Sequence, residues 1–316
     1  MIGLATAAGV LAEHRLGQKA ERSAAWVLDA MLWALVPPIT FLNVVGLHLN
    51  ERVAAGVAFG AIALVAALAV AYVIGRKVLN LPRAGVGALM LVAAFGNTGF
   101  LGLPFTVALF GGGELANAIV YDLILTTLGI FTVGFYIGAA FGERSGGTRD
   151  RVRELFTRNP PLLASIAGLV APSALAPDWA VNASHTLVYG LPILGFYAVG
   201  VTLAGEADED RVKFPPPFTR AVAVALVVKL ALVPGIVLGL SAVVIDIPES
   251  YGPQAAMASA INTMVIAHQF DLDRGLVAAA ITWSTAVVVV AGPEGGVLSG
   301  CPARPPAAKP TPKVAA

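Results

Sequence analysis

The chain has 316 residues, of which 57% are hydrophobic and only 12% charged, with a mean hydropathy of +0.81 and a formal net charge of +1. A soluble domain carries about twice that charged fraction, and so small a net charge excludes nucleic-acid binding that rests on bulk charge. Cys301 is the single cysteine, so no intrachain disulfide forms.

Apolar segments fall at approximately 1–12, 24–47, 53–75, 84–110, 115–140, 160–175, 183–204, 218–245, 253–270 and 275–291. A spanning helix needs about 20 such residues, so the pattern predicts an all-α polytopic membrane protein of ten segments embedded in a lipid bilayer. The first segment has no basic residue before its apolar ones. No cleaved signal is therefore expected, and the segment reads as the end of a helix that starts late.

The basic residues orient the segments. With the N-terminus outside, the inward loops hold Arg15, Lys19 and Arg22, then Arg76, Lys77 and Arg83, then the arginines of 144–158, then Arg211, Lys213 and Arg220, then Arg274, against Arg52 alone outside. By the positive-inside rule both termini face outward from a cell membrane. Residues 141–159 read as a cytoplasmic linker and the proline- and alanine-rich 292–316 as a disordered tail. They leave 1–140 and 160–291 as two units of five segments, and an odd number makes the second unit inverted relative to the first.

The stretch FGNTGFLGLPF, 95–105, interrupts the fourth segment with residues that break helices: Gly96, Gly99, Gly102 and Pro104 around Asn97 and Thr98. Asn262 and Thr263 interrupt the ninth. Each pair lies about 13–14 residues from its flanking charge, roughly 20 Å along a helix and hence near the bilayer midplane. Polar breaks at equal depth in matching segments are a pointer to a transport site. A kink lined by small residues for helix packing is the alternative.

Five motifs in order carry a resemblance: GNTGFLGLPF, RNPPLLASIAGL at 158–169, LPILGFYAVGVTLAG at 191–205, KLALVP at 229–234 and MASAINTMVIAHQF at 257–270. Over almost its whole length the chain resembles the auxin efflux carrier family, the PIN-like permeases. The resemblance implies ten helices in two inverted five-helix repeats, with segments 4 and 9 broken and crossing at the centre of a transport domain. It implies transport of small organic anions. The family has a full first helix where this chain offers about 12 apolar residues, and commonly a proline where this chain has Ala258. The second break is therefore expected to rest on Ser259, Asn262 and Thr263.

On this reading Asn97, Thr98, Gly99, Asn262, Thr263 and Lys229 bind substrate, Gly96, Gly102 and Pro104 shape the break, and Asp122 and His268 serve a coupling proton or sodium ion. Asp122 lies roughly 12 Å along its segment from Glu114, and Lys229 roughly 13 Å from Arg220, both inside apolar runs. An intramembrane charge is costly and marks function. For Asp122 the alternative is a helix-end acid bonded to Tyr121 or Thr126; for Lys229 it is pairing with an acid or snorkelling; for His268 it is an exposed helix end. There is no phosphate loop, Cys/His cluster or serine elbow, so no catalytic residue, metal or cofactor is expected. A secondary transporter of small carboxylates, with a homodimer as its allowed assembly, is the leading expectation. A sodium- or proton-coupled carrier of the bile-acid type comes second, and a membrane sensor or channel third.

Overall fold

The computed structural model describes residues 2–45, 50–142, 160–188, 190–208 and 216–291, and these are almost entirely helical. In chain order the helices are α1 (Ile2–Leu16), α2 (Gln18–Ala30), α3 (Val36–Val44), α4 (Glu51–Val73), α5 (Arg83–Ala94), α6 (Leu103–Phe110), α7 (Leu115–Tyr121), α8 (Phe135–Phe141), α9 (Pro160–Val170), α10 (Asp178–Val188), α11 (Leu191–Asp208), α12 (Arg220–Val227), α13 (Val233–Val243), α14 (Tyr251–Ala255), α15 (Asn262–Phe270) and α16 (Arg274–Ala291). Several are joined end to end by π-helical turns. Four helical runs are long and apolar enough to cross a membrane: Glu51–Val78, Gly112–Phe141, Arg220–Val243 and Arg274–Ala291. The chain is a multi-pass helical membrane protein.

Helix α4 illustrates why. Asn50 caps it, its side chain accepting from the Val53 amide at 3.0 Å, an arrangement worth about 1 kcal/mol. One side is a row of small residues, Gly56, Gly60, Ala63, Ala67 and Ala71, all buried. The other exposes Ile62 and Val65. Small residues let helices approach closely where lipid gives no hydrophobic drive for association. Here the rings of Tyr251 and Tyr121 and the Leu125 side chain lie against Gly56 and Gly60.

Three of the six π turns among the described residues have a sequence cause. Pro104 follows the turn Thr98–Gly102, Pro234 follows Val228–Leu232, and Pro37 and Pro38 follow Met31–Leu35. A proline removes one N–H and collides with the carbonyl four residues earlier. Widening the preceding turn relieves that collision. In each case the carbonyl at risk (Phe100, Leu230, Trp33 or Ala34) lies inside the π turn.

Boundaries differ from the expected segments at three places. The second begins at Gln18, just after Gly17 turns the chain with φ +50°. The sixth ends at Val170. The seventh begins at Asp178 and is divided into α10 and α11 with Gly190 in a turn, because Pro192 enters α11 at a position that needs no amide. The linker from Glu143 onward, the tail 292–316 and Cys301 lie outside the described residues.

Two helix groups result. One packs α1 and α2 against α11, and α9 and α10 against α3. The other shares a continuous core built from 53–141 and 221–281, including Phe59, Leu89, Phe95, Tyr121, Tyr251 and Phe270. They meet where α11 packs on the turn Thr98–Gly102, α10 on α6 and α7 on α3. The break in the fourth segment thus lies where the two groups face each other.

Candidate functional site

Both breaks are real, and they cross. Between α5 and α6 the chain is extended at Phe95, and between α14 and α15 at Ala258–Ala260; Gly96 and Ser259 form an isolated antiparallel bridge. The Asn97 amide donates to the Ala258 carbonyl at 2.7 Å, and the Ala260 amide to the Phe95 carbonyl at 2.9 Å. Each break therefore satisfies backbone groups that the other has freed. In hydrocarbon each such group left unpaired costs several kcal/mol.

The rest of the break is held by side chains. The Ser259 hydroxyl donates to the Val92 carbonyl at 2.8 Å, and the Ser259 amide donates to the Ser284 hydroxyl at 3.0 Å. Thr263 donates back to the Ala260 carbonyl at 2.6 Å. Without a proline at 258, serine and threonine hydroxyls take over the freed donors and acceptors. Of the three residues expected to support this break, Ser259 and Thr263 do so, while Asn262 is exposed at the start of α15.

The bridge also sets a register that the sequence alone does not reveal. The antiparallel pairing of Gly96 with Ser259 sets Asn97 opposite Ala258 and Phe95 opposite Ala260. The Asn262-Thr263 dipeptide lies beyond the paired stretch, at the start of α15.

At the first break Asn97 is 4% and Thr98 1% exposed. The Asn97 carbonyl accepts from the Leu101 and Gly102 amides, starting the π turn. The amides of Thr98, Gly99 and Phe100 have no acceptor within the half-helix they open. They are the orphan donors of a half-helix running Thr98–Phe110, where the helix dipole is positive. Buried beside them, the Asn97 Nδ2 amide also has no partner. These N–H donors lie at one helix start, an arrangement suited to an anion.

The two intramembrane charges sit on either side of this point without pairing. Asp122 is half-buried at the head of the π turn Asp122–Thr127 and accepts from the Thr98 hydroxyl. Thr98 and Thr126 hydroxyls are 2.7 Å apart. The expected alternative partner Thr126 therefore reaches Asp122 through Thr98. Gly99 lies against the carboxylate, which would sit 3.3 Å from a Cβ there. Lys229, 2% exposed within its own π turn, donates from Nζ to the Ala255 carbonyl at 2.8 Å. Gly102 lies against Gln254, whose Oε1 a Cβ there would overlap. Pro104 is buried in the first turn of α6. His268 is exposed on α15.

Gln254, fully buried and donating weakly to Thr106 at 3.4 Å with Oε1 unpartnered, is a residue that the sequence reading missed. Its signal was an amide side chain at the start of the apolar ninth segment, which also holds Asn262 and Gln269. Ser284 was missed too, because serine is common in transmembrane helices as packing. A cavity of about 20 Å³ lies at the crossing, lined by Gly96, Thr98, Thr126, Lys229, Gln254 and Tyr121 among others. That is room for about one water molecule.

No protein-family model matches the chain. It is 34% identical over 102 residues to an uncharacterized transporter of Methanocaldococcus jannaschii, a match spanning 32% of this chain and 31% of that protein. It is 29% identical over 231 residues, 71% of each chain, to an uncharacterized transporter of Methanothermobacter thermautotrophicus. Both relatives are transporters by name. The longer match extends over most of this chain, whereas the shorter covers about a third of either protein.

Proposed function

We infer that the protein is a secondary active transporter of small organic anions, carboxylates foremost, of the auxin efflux carrier type. The transporter names of the two relatives support the general reading. One observation supports the anionic substrate. The half-helix start at Thr98, whose first three amides have no intrahelical acceptor, adjoins the buried and unpartnered Asn97 amide at the point where two broken segments cross. Gly96 lies beside Lys229 and Gly99 beside the Asp122 carboxylate, and Thr263 and Asn262 line the start of the second half-helix.

Alternating access is the transport cycle that this reading implies. The cavity admits about one water, so a carboxylate enters only when the group carrying the crossover moves relative to α11, which packs on the turn Thr98–Gly102. On this reading the two groups are scaffold and transport domain of a ten-segment inverted repeat with both termini outside. A cysteine placed at Arg149, in a Cys301→Ser background, should be labelled by an impermeant reagent only from the cytoplasmic side.

The test of function is direct. Purified protein should gain thermal stability from a subset of small carboxylates, and proteoliposomes should accumulate that same subset. Carboxylates that stabilise without being transported would indicate a sensor, and no stabilisation by any organic anion would reject the reading. Ion coupling is the second element. Asp122, held on Thr98 at the head of the half-helix, favours a coupled carrier over a channel, and His268 on α15 is a candidate proton relay toward the inner side.

A further inference from the structure

Buried polar atoms in folded proteins are almost always paired, so an exception inside the crossing calls for a partner. Two exceptions of opposite kind lie on neighbouring elements there. The Asn97 Nδ2 amide is a donor without an acceptor, and Gln254 Oε1 is an acceptor without a donor; both residues are buried. Gln254 belongs to α14, which packs on the turn Thr98–Gly102 and on α6.

The neighbours fix which end of the Gln254 amide is free. The Thr106 hydroxyl has one proton and gives it to the Gly102 carbonyl at 2.9 Å. Towards Gln254 it can therefore only accept, which sets Nε2 against Thr106 at 3.4 Å and turns Oε1 away. Oε1 rests over Gly102, in space that a Cβ at 102 would fill. Gly102 thus leaves room for a bare acceptor within the same turn that opens with the donors at Thr98. The Lys229 ammonium, which lines the same small cavity as Gln254, donates to the Ala255 carbonyl and not to Oε1.

We propose that Gln254 determines specificity: its Oε1 accepts from a hydroxyl, or another neutral O–H or N–H group, that the transported anion carries beside its carboxylate. The carboxylate takes the helix-start amides and Asn97, and the second group fills Oε1. An anion without such a group leaves the buried acceptor unpaired, which disfavours it. Phe95 beside Asn97, and Tyr251 and Ala255 flanking Gln254, belong to one core. The donor and the acceptor therefore stay together when that helix group moves relative to α11. The assignment rests on the anion reading and narrows it to anions that bear a donor.

The test uses pairs of anions that differ by one hydroxyl: glycolate and acetate, lactate and propionate, 3-hydroxybutyrate and butyrate, mandelate and phenylacetate. Affinity is read by ligand-induced thermal shift of the detergent-purified full chain, as wild type, Gln254→Met and Gln254→Leu. In at least one pair the hydroxylated member should bind wild type about tenfold or more tightly than its partner. In Gln254→Met the two members of that pair should bind within about threefold of each other. Without ligand, Gln254→Met should melt no lower than wild type, because an apolar side chain of like shape removes an unpaired buried acceptor. A packing role alone predicts a lower melting temperature and an unchanged preference. Gln254→Leu serves the same comparison where the methionine variant does not fold. Equal or weaker binding of every hydroxylated member to wild type, or a hydroxyl preference that persists in the variants, overturns the proposal and leaves the anion reading standing. No shift with any member of any pair overturns both. Loss of folding in both variants makes Gln254 a structural group and overturns the proposal alone.

Discussion

Asn97→Asp should abolish uptake of organic anions, and Asn97→Ala should weaken it by roughly ten- to a hundredfold. The asparagine amide is a buried donor without a partner, beside the amides of Thr98, Gly99 and Phe100 at the half-helix start. A hydrogen bond to a charged group is worth about 1.5–3 kcal/mol, and each 1.4 kcal/mol is about a factor of ten. The alanine variant loses that one bond and keeps the helix start. The aspartate variant instead places a second negative charge where the first must bind. At about 4 Å and an effective dielectric of 20 the repulsion is about 4 kcal/mol, roughly a thousandfold. Binding is read by ligand-induced thermal shift and uptake in proteoliposomes. The backbone amide of Asn97, which holds the bridge to Ala258, is untouched by either change, so both variants should fold. Wild-type uptake by Asn97→Asp would remove the anion site from this helix start.

The contrast between Asn97 and Lys229 also marks what the sequence could carry. The break at 95–105 was legible because glycine, asparagine and proline each oppose a helix for a separate reason, and they cluster. The break at 256–261 was legible only through Ser259, Asn262 and Thr263, and its register was not. Register is set by which amide meets which carbonyl, and alanine at 258 and 260 carries no trace of that in its side chain. The partner of Lys229 was hidden for the same reason. A lysine in an apolar run suggests an acid or a substrate, whereas the acceptor is the carbonyl of Ala255. Backbone groups are the main polar inventory inside a membrane protein, and no residue letter records which of them a broken helix has freed. The five-residue spacing of Lys229 and Pro234 does have a readable cause in hindsight: the proline widens the turn that contains the lysine.

Asp122→Asn should abolish acceleration of uptake by a pH gradient while leaving exchange of substrate across the membrane within about threefold of wild type. One hydroxyl links the carboxylate to the half-helix. Thr98 has a single proton to donate, and its Oγ1 lies within hydrogen-bond distance of both Asp122 and Thr126. With Asp122 ionised, Thr98 donates to the carboxylate and Thr126 donates to Thr98. With Asp122 protonated, the carboxyl donates to Thr98, which turns its own proton to Thr126. Protonation thus reverses a two-bond chain anchored on the first residue of the half-helix that faces the anion. It also removes a negative charge lying against Gly99, so anion binding and proton binding favour each other, as coupling requires. Asparagine offers Thr98 either its carbonyl oxygen or its NH2 group, and in both arrangements it leaves nothing to titrate. Binding should survive, since the variant carries no charge that repels the substrate. Thr98→Val, which cuts the chain but keeps the carboxylate, should lose most of the acceleration as well. If the Asp122→Asn variant keeps the full response to a pH gradient, the proton enters elsewhere, and His268→Gln becomes the next test. A wild-type protein stimulated by sodium at constant pH, with that stimulation lost in Asp122→Asn, would instead assign the carboxylate to a metal ion.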